Sequence, residues 1–341
     1  MRLIANLQGR GHFADLVARL AIRRRLARRV RNLERTGEQS TSSPFPSGVP
    51  ASSLARAFGT PPEQLPLTSL RSVLGPSLVD SCCAWPRWAK DLAVAEDEMM
   101  TMLSDRAEIE DGLRVLDISP GHGGLARCLR TRWGNAPVTV LATTEEHRQR
   151  LLHALPAATS EGIAIHLGTL RDLEPDVRFD RILAIESLPE DADLAGTLQN
   201  MADHLVPGGR ALIQLACHRK VSYRFRTGDE HELWKLLLEP ASLIPATDLL
   251  PRIQSPLTLL HHWELSGEHY QRTASAWLVR LDSNRTQIVE ELRAVAGTIN
   301  AKAIYRQWRL SLLATEELFG FHDGQEWWVS QYLLGAPGTA V

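Results

Sequence analysis

The chain has 341 residues, 44% of them hydrophobic, with a formal net charge of -2. That is apolar material for a large core in one elaborated domain or two, and the near-neutral charge gives no global pull toward nucleic acid or an anionic membrane. No run of about 18 apolar residues appears, which excludes a spanning helix; Cys82, Cys83, Cys128 and Cys217 form no C-x-x-C pair and read as reduced thiols of a cytoplasmic protein.

The first residues are soon broken by Gly9, Arg10 and Gly11 and do not read as a signal peptide. Residues 12–38 predict a basic helix with Phe13, Leu16, Val17, Leu20, Leu26, Val30 and Leu33 near one stripe. That stripe packs on its own domain or on a partner subunit, or it makes peripheral contact with an anionic membrane. Residues 39–53, rich in Ser, Pro and Gly, predict a flexible linker. Residues 54–110 form a helical lead-in, in which 89–109 carries core methionines.

Alternating units follow: strand 113–118, helix 125–133, strand 137–141, helix 145–155, strands 162–167 and 179–185, helix 194–204, a turn at 206–209 and strand 210–215. Alternation of this kind means a doubly wound parallel sheet of Rossmann-like type over 111–220, with ligands at the carboxyl ends of its strands. Beyond His218, helical stretches at 230–238, 273–296 and 300–319 interleave with strands 258–265 and 326–334. The expectation is a largely helical lid inserted before two last strands that form an antiparallel edge hairpin.

The first strand ends in Asp117 and runs into a loop, Ser119-Pro120-Gly121-His122-Gly123-Gly124. Glycines there let a ligand approach backbone where a Cβ would collide. The dinucleotide pattern G-x-G-x-x-G lacks its first glycine, and the second strand ends in Ala142-Thr143-Thr144 rather than an acid, so NAD is disfavoured. An acid before two glycines suits S-adenosyl-L-methionine better, because it has no pyrophosphate and its amino-acid end needs polar partners.

Short motifs recur in order over 78–334: Trp85-Pro86, Ala95-Glu96, Met99-Met100, the glycine loop, the runs 179–182 and 217–220, and most fully 262–270, followed by Thr273, Trp277-Leu278, and the runs 281–284, 305–309, 317–320 and 324–327. Together they resemble the coclaurine N-methyltransferase group of S-adenosylmethionine-dependent enzymes, relatives of the cyclopropane fatty acid synthases. The resemblance implies a class I methyltransferase fold and a small-molecule amine or lipid-like acceptor. It places the cofactor against Ser81, Asp117, Ser119, Gly121, Gly123, Thr143, Thr144, His147, Thr169 and Leu170. Catalytic roles fall on Glu186, Glu190, His218 and Tyr270, with Glu190 or Asp191 replacing a histidine of the family's Ile-Glu-x-x-Glu-His run.

The chain also departs from the family. Asp80 and Ala84 stand where the entrance motif has tyrosines, Ser119 and Pro120 replace Gly-Cys, His147 replaces a glutamine, and Thr169 an acid or tryptophan. Tyr270 matches a residue that helps hold bicarbonate in cyclopropane-forming relatives, but the assisting histidine falls on Gln214, which disfavours cyclopropanation. Three readings stay open here: an N-methyltransferase, a degenerate methyltransferase-fold subunit with a homodimeric or paralogous partner, and an enzyme running other chemistry on the same nucleoside site. His218, His261, His262 and His269 fit no familiar zinc spacing, so no metal is expected, nor is nucleic acid.

Overall fold

The computed structural model describes residues 12–36, 65–75, 77–155, 161–186, 194–224 and 243–337. Its strands are β1 (Val115–Asp117), β2 (Val138–Ala142), β3 (Ile163–Leu167), β4 (Phe179–Ile185), β5 (Leu205–His218), β6 (Tyr223–Arg224), β7 (Leu243–Ile244), β8 (Thr258–Leu265) and β9 (Trp327–Gly335). Seven of them form one sheet in the order β3-β2-β1-β4-β5-β9-β8, while β6 and β7 pair separately. Neighbours from β3 through β5 are parallel; β9 is antiparallel to both β5 and β8. Phe179–Ile185 is a central strand with a largely buried apolar stretch, and it matches the sequence reading residue for residue, as does the mostly exposed edge strand Thr258–Leu265.

The helices are α1 (His12–Thr36), α2 (Leu67–Leu74), α3 (Leu92–Arg106), α4 (Gly124–Arg132), α5 (Glu145–Ala154), α6 (Leu194–Asp203), α7 (Gly267–Ser283) and α8 (Arg285–Phe319). Local chemistry sets their starts. The Asp91 carboxylate accepts from Val94 N at α3, the Thr144 hydroxyl from His147 N at α5 and the Ser266 hydroxyl from Glu268 N at α7. In contrast, α4 opens behind Gly123 at φ 81 with no side-chain cap, leaving its first amides to be answered otherwise.

Three sequence expectations change. The turn at 206–209 lies within β5: Leu205 already pairs with Phe179, and the ladder resumes at Arg181 with Arg210 after a register shift. The helices α7 and α8 lie between the last two strands rather than before them, so β8 and β9 do not form a hairpin. Their boundary falls at Asn284, where the 273–296 periodicity runs straight through, and α8 kinks at Gly297 (φ 77, ψ 164). Gly267 fixes the join, since a Cβ there would overlap the carbonyls of Phe319 and Trp327.

The apolar stripe of α1 is spent on its own chain. Ala18, Ile22, Leu26, Val30 and Leu33 are buried, α1 lies against α8, and Arg19 pairs with Glu316 and Glu317 at 2.7 Å while Arg309 bonds Asp15 at 2.6 Å. Leu16 and Leu20 stay exposed, as do Arg24 and Arg28. Among the described residues no helix is long and apolar enough to cross a membrane. The expected linker 39–53 and the helix at 230–238 lie outside the described residues.

Candidate active site

Residues 77–85, joining α2 to α3, form a strap across the carboxyl ends of β1 and β4. A Cβ on Gly124 would lie 2.6 Å from the Ser77 carbonyl, so that glycine lets the strap close on the loop, while one on Gly121 (φ 50) would lie 2.5 Å from Asp80 Oδ1 and displace that side chain. Along the strap, Cys82 N donates to Glu186 Oε1, Cys83 N to Thr273 Oγ1 and Trp85 N to His269 Nδ1, tying it to β4 and α7.

Glu186 is the centre of a satisfied polar network. It follows β4 with φ 54, a left-handed conformation that a non-glycine residue adopts only when its surroundings enforce it. Its Oε1 accepts from Cys82 N and Gln214 Nε2, both at 2.9 Å, and its Oε2 accepts from Tyr270 OH at 2.7 Å. The chain of bonds continues: Gln331 Nε2 donates to Gln214 Oε1 and Arg106 to Gln331 Oε1, each at 2.5 Å. Burial pushes the Glu186 carboxyl up to about 7, outweighing the pull of the Tyr270, Cys82 and Gln214 hydrogen bonds. Tyr270, stacked on Phe319 at 4.3 Å, has its phenol raised well above the usual range by burial and the Glu186 charge.

Around the glycine loop the opposite holds. Asp117 Oδ1 accepts from Ser119 N at 3.0 Å, but its Oδ2, Asp80 Oδ2 and both ring nitrogens of His122 are buried without a partner among the described residues. His122 Nε2 stands 4.0 Å from Asp80 Oδ2. This is no ion pair, because burial, with Arg150 and His147 nearby, drops the imidazole to about 3 and keeps it neutral. Burial lifts Asp80 to about 6, and burial plus the Asp80 charge lifts Asp117 to about 7. A cavity of about 20 Å³ lies beneath the strap, lined by Asp80, Ser81, Ser119, Pro120, Gly124 and Ile185 among others. It has room for one water-sized group.

The structure sorts the sequence-derived residues into three groups. Glu186 meets Tyr270; Ser81, Asp117, Ser119, Gly121 and Gly123 gather at the strap and loop. A second group is spent on local structure. Thr144 caps α5, Thr169 shares a capping box with Asp172, Leu170 is core, and His147 Nε2 lies 2.9 Å from the Gly121 carbonyl. The Ser119 hydroxyl accepts from Ile185 N at 2.6 Å, bracing β1 against β4, and Thr143 is exposed at the end of β2. His218 stands apart: its Nε2 bonds Glu326 at 3.0 Å and its Nδ1 accepts from Lys220 N and Val221 N, a fully engaged ring that the structure does not bring to Glu186. Glu190 and Asp191 lie outside the described residues. Sequence reasoning missed Asp80 and His122 as site groups, and Arg106 and Gln331 altogether; only the replacement of a tyrosine at 80 carried a signal.

A sheet of this order with one inserted antiparallel strand, a glycine loop behind β1 and helices flanking both faces defines the class I S-adenosylmethionine-dependent methyltransferases. Within that class the chain belongs to the mycolic acid cyclopropane synthetase family, whose model matches residues 69–326. It is 26% identical over 275 residues to an (S)-coclaurine N-methyltransferase of Thalictrum flavum subsp. glaucum, covering 80% of this chain and 76% of the relative. Its fold resembles the crystal structure of coclaurine N-methyltransferase bound to N-methylheliamine and SAH (TM-score 0.78, 24% identity, 93% of this chain and 94% of that one). A cyclopropane synthase from Mycobacterium tuberculosis is more distant, with TM-score 0.62 and 17% identity over 80% of this chain and 95% of that one.

The donor set suits S-adenosylmethionine. Two carboxylates with oxygens unpartnered among the described residues would answer a cationic amino-acid end, while Gly121 (φ 50) and Gly123 (φ 81) hold left-handed conformations whose Cβ directions face Asp80 and Leu155. Thr143, at the end of β2, is exposed.

Proposed function

We propose that this chain transfers the methyl group of S-adenosylmethionine to the nitrogen of a small, partly aromatic amine. The observation that carries the reading is Glu186, a buried carboxyl poised near 7 and fixed by Tyr270, Cys82 N and Gln214 at the end of β4. An amine binds as its ammonium ion yet attacks through a lone pair, so it needs a nearby base whose pKa lies close to the working pH. Glu186 Oε2, with one protein donor, keeps acceptor capacity for that proton. The N-methyltransferase relatives support the same acceptor class.

When bound, the cofactor supplies a methyl carbon activated by positive sulfur, and the protein's task is positioning. Asp117 and the glycine loop behind β1 would hold its amino-acid end. Tyr270 and Gln214 orient the Glu186 carboxylate, while buried Trp85 and Phe319 keep water from the reacting centre. Glu190 is a second carboxylate for the same acceptor. Cyclopropanation is disfavoured, because Tyr270 and the residue at 214, the pair the resemblance ties to bicarbonate, both donate to Glu186 itself.

The test is transfer of labelled methyl from S-adenosylmethionine to a panel of benzylisoquinoline-type amines and to vesicles of monounsaturated phospholipid. Label in an amine and none in lipid is expected. Label in the phospholipid alone, or in neither while the cofactor binds, overturns the reading.

A further inference from the structure

In the family pattern the strap carries a tyrosine where this chain has Asp80, and that exchange brings a second carboxylate to the glycine loop. Asp80 Oδ1 touches the space above Gly121, while Asp80 Oδ2 and Asp117 Oδ2 are buried with no partner. Neutral His122, also unpartnered at both nitrogens among the described residues, sits 4.0 Å from Asp80 Oδ2 and adds no charge to offset the pair. Buried polar atoms are almost always satisfied, and carboxylates left bare in one place cost free energy unless a ligand completes them.

We propose that Asp80 and Asp117 form an ionic clasp for the α-ammonium of the methionyl end of S-adenosylmethionine, with Asp80 the cofactor-positioning residue particular to this chain. The inference rests on the methyltransferase reading above and assigns one further residue within its cofactor site. An ammonium carries three donors and no acceptor, which matches bare carboxylate oxygens. It is close in size to water, and a cavity of about 20 Å³ adjoins the Asp80 arm of the clasp, lined also by Ser81 and by Ser119, the residue whose amide Asp117 holds. The sulfonium has no N–H to offer, so it gains less from bare carboxylate oxygens. A clasp that is repulsive without its ligand also makes a sign prediction: neutralising Asp80 stabilises the free protein and weakens the complex, whereas neutralising a structural carboxylate destabilises both.

The test is calorimetric titration of the wild-type protein and Asp80→Asn with S-adenosylmethionine, S-adenosylhomocysteine and 5′-methylthioadenosine, alongside thermal unfolding of each free protein. The expected result is a loss of about tenfold to a hundredfold in affinity for the first two ligands alike, unchanged affinity for methylthioadenosine, which lacks the amino-acid end, and a midpoint equal to or above wild type. As a check without mutation, deaminated S-adenosylhomocysteine should bind the wild type weaker by a similar factor. Unchanged affinities in Asp80→Asn, a loss confined to S-adenosylmethionine, or equal binding of the deaminated ligand each overturn the clasp. Failure of the wild type to bind S-adenosylmethionine overturns the methyltransferase reading and the clasp with it.

Discussion

Two polar regions stand on either side of the strap, and they are built on opposite terms. Around Glu186 every carboxylate oxygen is answered, by Cys82 N, Gln214 and Tyr270, and the bonds run on through Gln331 to Arg106. At the glycine loop, Asp80, Asp117 and His122 keep buried atoms bare. A satisfied buried network fixes one geometry and resists change; an unsatisfied one is unstable alone and is completed by something else. The difference teaches which side of the centre is set in advance and which is organised by its ligand.

The sharpest way to break this contrast is to remove the base while keeping the shape. Glu186→Gln should lower turnover by about a hundredfold to ten-thousandfold, with the dissociation constant for S-adenosylhomocysteine unchanged in titration. Equal loss of binding and turnover would place Glu186 on the cofactor side instead. Next in size, Gly121→Ala forces a side chain into a left-handed conformation, costing about 1–2 kcal/mol, and pushes a methyl toward Asp80 Oδ1, which would lie 2.5 Å away. Cofactor affinity should fall about tenfold or more, as read by calorimetry.

A smaller effect is expected from Gln331→Leu, which strips Gln214 Oε1 and Arg106 of a buried partner. Denaturant unfolding should show a loss of about 1–3 kcal/mol, with turnover reduced far less than in Glu186→Gln. The smallest is a pH effect. Asp80, Asp117 and Glu186 have folded pKa values raised to about 6, 7 and 7. Their favourable contribution is complete below the unfolded carboxylate range and is lost as pH rises through those folded values. The unfolding midpoint of the free protein should therefore drop from about pH 4 to about pH 7, while S-adenosylhomocysteine affinity climbs as the folded carboxylates ionise at about pH 6 to 7. A flat affinity profile would count against ionised carboxylates as the ligand's partners.

Much of the fold was legible because the buried parallel strands are largely apolar runs and the helix behind Thr144 starts at the expected residue, whereas the helix read from residue 273 in fact opens at Gly267 behind the Ser266 cap. The β5 irregularity was not, since Val206-Pro207-Gly208-Gly209 reads as a turn although Leu205 already pairs with Phe179. Nor was the break at Asn284, where apolar spacing continues across a change of axis. At the site, Glu186 was readable from the likeness of Ile185-Glu186 to the family's strand-end Ile-Glu run. Gln214 and Gln331 were not recognisable as partners, since a glutamine in a strand looks the same whether it faces solvent or a buried carboxylate across the sheet. Thr169 and His147 drew attention by replacing family residues, yet their side chains serve the Asp172 capping box and the Gly121 carbonyl.

Amide hydrogen exchange with and without S-adenosylhomocysteine tests the central contrast most directly. The account predicts new protection concentrated in residues 77–83 and 117–124, with little change in the strand segments carrying Gln214 and Gln331, already as protected as the core. Protection spread equally over both regions, or absent from the strap and loop at saturating ligand, would contradict it.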